Sequence, residues 1–363
     1  MNMKTIITTI YYILLSTFAI NAQIKWFNPI ETEGFSCIHN QGWNEDGGNY
    51  NRFPNRAQKQ VRAAVWNLSC QSAGLAIRFA TNAQQIKIRY QVTGGYSMPH
   101  MPATGVSGVD LYVWNGNTPH ICYTNYQFAD TIRFNYTVDR TKKKTKEEKL
   151  YELYLPLYNG IKWLEIGVDA NDKFTFIPIK KEKPIVVYGT SIAQGACASR
   201  PGMAWTNVLS RKLKEPVINL GFSGNGKLEK EVISLLTELD AKVYVIDCMA
   251  NLYDRSPQEI CDLVIAAVKQ IRSKRHSPIL LIEHAGYSNA NTNIKWNDAY
   301  QNTNRGLKMA YKILQQDNTE KLYYLSKEEL GLDPDSWVDY VHPSDYGMIQ
   351  QSNAIHIKLK EII

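Results

Sequence analysis

Five residues from four separate stretches of this chain carry groups that could act together on an ester. Ser191 closes the apolar stretch "VVYGTSIAQG" (186–195) between Gly189 and Gly195. Serine is a weak nucleophile at neutral pH and needs a base within hydrogen-bond reach. His342 in "DYVHPSD" is the candidate base. Asp339, three residues earlier, could hold its imidazole in one tautomer and stabilise the protonated form. The tetrahedral intermediate of acyl transfer also needs donors aimed at its oxyanion. The backbone N–H groups of Ser191 and of Gly224 in "GFSGNG", with the side-chain amide of Asn251 in "DCMAN", could supply them.

Each piece alone has a plainer reading. Ser191 would pass for a turn serine, Asn251 for a helix cap or turn residue, and His342 for a loop histidine. "GFSGNG" lacks the lysine of a Walker loop and the spacing of a dinucleotide fingerprint. The weight lies in all of them arriving in order, each after its own strand. His284 in "EHAG" is a rival base on a neighbouring loop.

Those strands belong to the second half of the chain. After Lys181, continuously apolar runs alternate with helical patterns: "PIVVYGT", "VINLGFS", "VYVIDC", "PILLIE" and "KLYYLS" are strands. Between them the pattern predicts a helix from near Met203, one presenting Leu228, Val232, Leu235, Leu236 and Leu239, one from Pro257 to about Arg272, and one over about 294–315. A last helix starts near Ser344. Apolar strands alternating with helices imply a parallel sheet covered on both faces, a three-layer α/β domain over 181–363. Ligands of such open sheets bind beyond the carboxyl ends of the strands, so the loops carrying these residues should share one rim.

The first half has a different period. "QIKIRYQV" puts Ile86, Ile88, Tyr90 and Val92 on one face and polar residues on the other. "GLAIRFA", "VDLYVW", "KLYELYL" and "KWLEIGV" repeat the pattern between turn signals. Residues 23–180 therefore read as an antiparallel β-sandwich domain, with "KKEKP" marking the boundary.

At 363 residues, 44% apolar and 21% charged, the chain can bury two ordinary cores. Residues 1–22 read as a secretory signal peptide: Lys4 ahead of an apolar run from Ile6 to Ile20, then Ala22 before a cut. The expected location is therefore periplasmic or extracellular, without a stable membrane anchor. The net charge of +7 is partly local to the mixed run "DRTKKKTKEEK" (139–149), read as a solvated hairpin loop and not as a nucleic-acid surface. Six cysteines leave room for a bridge or two, without indicating a pairing. No paired Cys/His spacing points to a metal, and no cofactor is expected. The oligomeric state is not legible.

Taken as a set, the blocks around Ser191, Gly224, Asn251 and Asp339/His342 resemble the SGNH (GDSL-type) esterases. "YGTSIAQGACASRPGMAW" and "DCMAN" resemble its GDSL-3 subgroup, in which a β domain bearing a Gly-x-Asp-Leu-Tyr signature precedes the hydrolase. Here that signature stands at Gly108-Val109-Asp110-Leu111-Tyr112. The resemblance implies a flavodoxin-like hydrolase domain behind a jelly-roll-like sandwich. It also implies an exported serine esterase acting on small acyl groups, acetyl foremost, of carbohydrate, an activity associated with polysaccharide degradation. Thr190 stands where the GDSL block has Asp, and Met249-Ala250-Asn251-Leu252 departs from the usual Gly-x-Asn-Asp, so substrates do not carry over from better-known relatives. Asp110, Tyr112, Arg200 and Trp205 are candidates for shaping the substrate cleft, along with His284. The competing functions are a lipid-directed acylhydrolase or acyltransferase on the same scaffold, and a carbohydrate-binding protein without catalysis.

Overall fold

The alternation of "QIKIRYQV" becomes a strand with Ile86, Ile88, Tyr90 and Val92 buried and the residues between them at least partly exposed. The computed structural model describes residues 23–45, 49–138 and 147–363. The expected signal peptide and most of the charged run at 139–149 lie outside the described residues. Strands β1 (Ile24–Phe27), β2 (Ile38–His39), β3 (Ala76–Thr81), β4 (Gln85–Val92), β5 (Asp110–Asn115), β6 (Thr118–Ile121), β7 (Tyr123–Gln127), β8 (Ile132–Thr137), β9 (Lys149–Tyr154), β10 (Ile161–Asp169) and β11 (Phe174–Phe176) form two antiparallel sheets. Their orders are β1-β10-β4-β8-β7 and β11-β3-β9-β5-β6, with β2 on the far side of β3. Side chains from both sheets, among them Phe79, Leu111, Leu153, Ile88, Tyr90 and Phe134, meet in one core. The short strands β1, β2 and β11 escape the two-fold pattern because each is too short to display a period.

The second half is the expected three-layer unit. Five parallel strands, β12 (Ile185–Gly189), β13 (Val217–Gly221), β14 (Val243–Asp247), β15 (Ile279–Ile282) and β16 (Leu322–Leu325), lie in the order β13-β12-β14-β15-β16. This 2-1-3-4-5 order is the flavodoxin-like one, and it reverses direction between β12 and β14. The strand interiors are buried on both faces, which is why they read as unbroken apolar runs. Helices Trp205–Leu213 and Asp345–Ile362 cover one face; Lys230–Leu236, Pro257–Arg272 and Ile294–Gln316 cover the other. Helix bounds follow local chemistry. Ser256 accepts from the N–H of Glu259, whose carboxylate accepts in return, and Pro257 occupies the first turn. Ser344 caps the last helix with a single bond, accepting from Gly347 N–H. No described helix is long and apolar enough to cross a membrane, and no disulfide joins the cysteines.

The two halves are locked together under the future site. Arg52, from the β half, is fully enclosed, and its guanidinium donates to the carbonyls of Leu68, Gln71, Asn219 and Gly221. A buried charge is tolerated only when its donors are satisfied, and here the acceptors come from both halves. Arg200 donates to Asp110 Oδ2 (2.7 Å) and to the Tyr112 hydroxyl (2.7 Å), while the N–H of Gly202 reaches the same carboxylate oxygen (2.8 Å). Burial pushes the Asp110 carboxyl up even against Arg200, so this pair specifies geometry more than it adds stability.

That placement corrects an expectation. Asp110, Tyr112 and Arg200 form the joint between the halves and are not among the residues that border the cavity at Ser191. Trp205, fully buried among Ile192, Leu209 and Met348, is a core residue. The Gly-x-Asp-Leu-Tyr signature is therefore conspicuous for a mechanical reason. Its acidic and aromatic side chains receive an arginine that arrives on the loop after the nucleophile.

Candidate active site

The rungs at the carboxyl end of the sheet set the site. Gly189 of β12 pairs with Gly221 of β13 on one side and Asp247 of β14 on the other. From that common level the chain runs on to Ser191, to Gly224 and to Asn251. The strands flanking the point of reversal thus deliver three of the expected residues to one rim.

Ser191 opens the short helix Ser191–Gln194. Thr190 precedes it in extended conformation and its hydroxyl accepts from the N–H of Ile192. Gly195 ends the turn at φ +106°, a conformation that side chains rarely adopt. Gln194 then ties three segments: its amide donates to Leu157 carbonyl and to Gln71, and its oxygen accepts from the N–H of Ser223. The oxyanion loop is thereby positioned by a side chain on the nucleophile's own turn.

The Asp-x-x-His spacing has a local cause. Asp339 Oδ1 accepts from the N–H groups of Val341 (2.8 Å) and His342 (2.7 Å), which curls the chain so that the His342 ring returns to Oδ2. The contact from Nδ1 to Oδ2 is 2.7 Å. An antiparallel bridge between Trp337 and Pro343 closes the turn. On the far side of the ring, Nε2 lies 2.9 Å from Ser191 Oγ. Asp345, just beyond, accepts from the N–H and hydroxyl of Ser199, clamping the histidine turn to the nucleophile's loop. Burial alone would raise the Asp339 carboxyl; the hydrogen bonds from the His342 ring and the two backbone N–H groups outweigh it and hold the pKa below the ordinary carboxylate value.

Asn251 sits in a one-turn 3-10 helix, Met249–Asn251, and its Oδ1 accepts from the N–H of Gly226 (3.0 Å). With the oxygen so used, the amide's donors are left for the cleft. Gly224 adopts φ +68°, and nothing stands within 4 Å of where a Cβ would be, so this glycine serves backbone conformation and an open approach. Its N–H takes no partner among the described residues. Ser191, Gly224, Asn251 and His342 border a single cavity of about 250 Å³.

His284 does not join them. Its Nδ1 accepts from the N–H of Gly286 (2.9 Å), so the proton resides on Nε2, and its ring is buried beside Tyr287. Burial, with Lys327 adding to it, pushes its pKa down to about 3. A neutral, enclosed imidazole whose basic nitrogen is already engaged cannot serve Ser191, and the expectation of a rival base or substrate contact is corrected.

One part of the cavity was not anticipated. Tyr253, Tyr287, Trp296 and Tyr340 form its outer wall, with Trp296 centred 4.9 Å from Tyr287 and 5.1 Å from Tyr340. Tyr253 and Tyr340 are 48% and 44% exposed. A signal existed: Tyr253 is two residues past Asn251, and Tyr340 lies inside the Asp-x-x-His turn.

The same architecture recurs in known proteins. A crystal structure of a chain described as a GDSL-like lipase from Bacteroides ovatus ATCC 8483 shares 32% identity, with 94% of this chain and 98% of that one covered and a TM-score of 0.84. The profile of the GDSL-like lipase/acylhydrolase family matches residues 182–360, and the N-terminal GxDLY profile of SGNH-hydrolase-type esterases matches 24–174. The chain belongs to the GDSL-like lipase/acylhydrolase family. Among more distant members of the fold is the salicylyl-acyltransferase SsfX3 from a tetracycline biosynthetic pathway (15% identity, TM-score 0.70, 94% and 98% covered). Another is a family two carbohydrate esterase from Clostridium thermocellum (11% identity, TM-score 0.54, 80% and 92% covered). No curated protein matches the sequence at a significant level. In this GDSL-like chain Thr190 stands where the first block has aspartate, and its hydroxyl caps the nucleophile's helix by accepting from Ile192 N–H.

Proposed function

We propose that this chain is an exported serine esterase that removes short acyl groups, acetyl foremost, from carbohydrate. The observation that carries the reading is the unbroken hydrogen-bonded line from Ser191 Oγ through His342 to Asp339, with Gly224 and Asn251 on the same cavity. Ser191 Oγ attacks the ester carbonyl as His342 Nε2 takes its proton. Negative charge gathers on the former carbonyl oxygen, where the N–H groups of Ser191 and Gly224 and the Asn251 amide can receive it. Collapse expels the alcohol, which takes the proton back from His342. A water molecule then repeats the sequence against the acyl-enzyme and releases the acid. Asp339 orients the ring throughout and remains ionised, in keeping with its lowered pKa.

Two features favour a short acyl group on a sugar. The cavity of about 250 Å³ falls below the ~300–1,000 Å³ typical of pockets that enclose drug-sized ligands, which suits a small acyl group with its alcohol outside. The exposed rings of Tyr253 and Tyr340 beside Trp296 offer the amphipathic surface on which a pyranose can lie. Export rests on residues 1–22 of the sequence.

The test is hydrolysis of p-nitrophenyl acetate and butyrate, and acetate release from acetylated xylo-oligosaccharides, by the mature chain and its Ser191→Ala variant in the presence of chelator. Acetate should be preferred over butyrate, and activity on both classes should vanish in the variant. Equal rates in the two proteins would remove Ser191 from the reaction. Activity confined to long-chain esters would overturn the substrate class.

A further inference from the structure

Beside the Ser191–His342–Asp339 line stands a group that the proposed reaction uses only in part. His100, Cys197, Asp339 and His342 each offer one ligand atom, and these atoms all lie within 4.8 Å of one another. They come from three separate segments: the base-bearing turn, the turn after the nucleophile helix, and a tip of the β domain.

That tip is built. Met98 and Met101 exchange backbone hydrogen bonds of 3.0 Å each, closing a tight turn over Pro99 and His100. Met101 is buried against Ala196, Cys197 and Ala198, and the Cys197 thiol donates to the carbonyl of His100 (3.5 Å). The His100 ring therefore stands over His342, with centroids 5.8 Å apart and planes 26° from parallel. Cys197 itself has φ +66°. A side chain other than glycine in the left-handed region is held there by its surroundings, and such residues gather at functional sites. Burial, with Asp339 adding to it, keeps its thiol protonated, with the pKa pushed up to about 12. It is no nucleophile as it stands, but a coordinated divalent cation deprotonates a thiol outright.

We propose that His100, Cys197, Asp339 and His342 form an inhibitory site for a divalent transition-metal ion of zinc-like preference, which withdraws His342 from Ser191 when it binds. Two imidazoles, a thiolate and a carboxylate form a donor set that suits tetrahedral zinc, and the two anionic ligands cancel the ion's charge. Zinc bonds of about 2.0–2.3 Å place tetrahedral ligands roughly 3.4–3.7 Å apart, so the widest separation needs to close by no more than about 1 Å, while the 2.7 Å contact between His342 Nδ1 and Asp339 Oδ2 must open. Binding releases the Cys197 proton to solvent, and it should tighten as pH rises. The metal plays no part in the hydrolysis. The binding claim is independent of the esterase reading; only the inhibitory consequence rests on His342 being the base.

Cobalt(II) titration of the mature Ser191→Ala protein reads binding without any need for activity. A thiolate-to-cobalt charge-transfer absorption should appear, be absent in a Cys197→Ser variant, and require at least tenfold more cobalt in His100→Gln. His100 is exposed, so His100→Gln should fold even if the cysteine variant does not. In parallel, zinc should inhibit ester hydrolysis by the Ser191-containing protein, reversibly with chelator and at least tenfold more weakly in His100→Gln, whose metal-free rate should stay within twofold of the parent. Absence of the charge-transfer band, or zinc inhibition unchanged in His100→Gln, would overturn the site. Binding without any ester hydrolysis in the parent would instead refute the proposed function and leave the metal site standing.

Discussion

Replacing Asp339 by asparagine changes one oxygen into an amide and should cost almost all activity. In the structure Oδ1 accepts from two backbone N–H groups, at 2.7 and 2.8 Å, while Oδ2 faces His342 Nδ1 at 2.7 Å. An asparagine keeps its oxygen on the two N–H groups, because the flipped amide would set a donor against two donors and forfeit about 1 kcal/mol or more at each. Its NH₂ must then face Nδ1. A donor there stabilises the tautomer with Nδ1 unprotonated and the hydrogen on Nε2, so Nε2 donates towards Ser191 when it should accept. The wrong tautomer, with the loss of the carboxylate that would stabilise the imidazolium, costs on the order of 10⁴ in kcat, about 5.5 kcal/mol of barrier at 1.36 kcal/mol per decade. Folding should change little, since the two backbone bonds survive and the Asp339 side chain is 29% exposed. The assay is steady-state hydrolysis of p-nitrophenyl acetate alongside thermal unfolding. A loss below about tenfold with an unchanged melting temperature would show that Asp339 does not set the tautomer, and the line from Ser191 to Asp339 would lose its meaning.

Two further outcomes follow from neighbouring residues. Asn251→Ala should lower kcat by roughly 10²–10³ with a smaller change in KM, since the amide acts on charge that develops only in the transition state; a change confined to KM would make Asn251 a substrate-binding residue. Asp247 is buried at the end of β14, accepting from Gln351 (3.2 Å), and burial pushes its carboxyl up to about 7. Between the ordinary carboxylate value and about pH 7 the folded state holds a proton that the unfolded chain has released. Stability should therefore fall as pH rises through that window and level off above it. Asp247→Asn should flatten this trend and stabilise the protein at pH 8 by about 1–4 kcal/mol in chemical denaturation; equal pH slopes in both proteins would refute the assignment.

Some of this protein could be read directly from its residues because the causes are local. The Asp339 to His342 spacing works through bonds spanning two and three residues. The helix from Pro257 to Arg272 begins where Ser256 and Glu259 cap it, and β4 shows its buried face in its own alternation. The order of nucleophile, oxyanion glycine, asparagine and Asp-x-x-His could also be read, since each follows a strand whose apolar run is unmistakable.

What the sequence left open depends on groups far apart in the chain. Asp110 meets Arg200 across 90 residues, so an acidic and a basic residue that both read as cleft-lining proved to be a joint. His284 reads as a base by type, yet one backbone N–H and complete burial make it neutral and enclosed. The aromatic wall gathers Tyr253, Tyr287, Trp296 and Tyr340 from separate loops and the first turn of a helix, and His100 reaches the base only because the β domain packs against the nucleophile's loop. Local hydrogen bonds and hydrophobic period are written in neighbouring residues. Burial, charge pairing and the walls of a cleft are properties of which surfaces meet, and only the tertiary packing decides that.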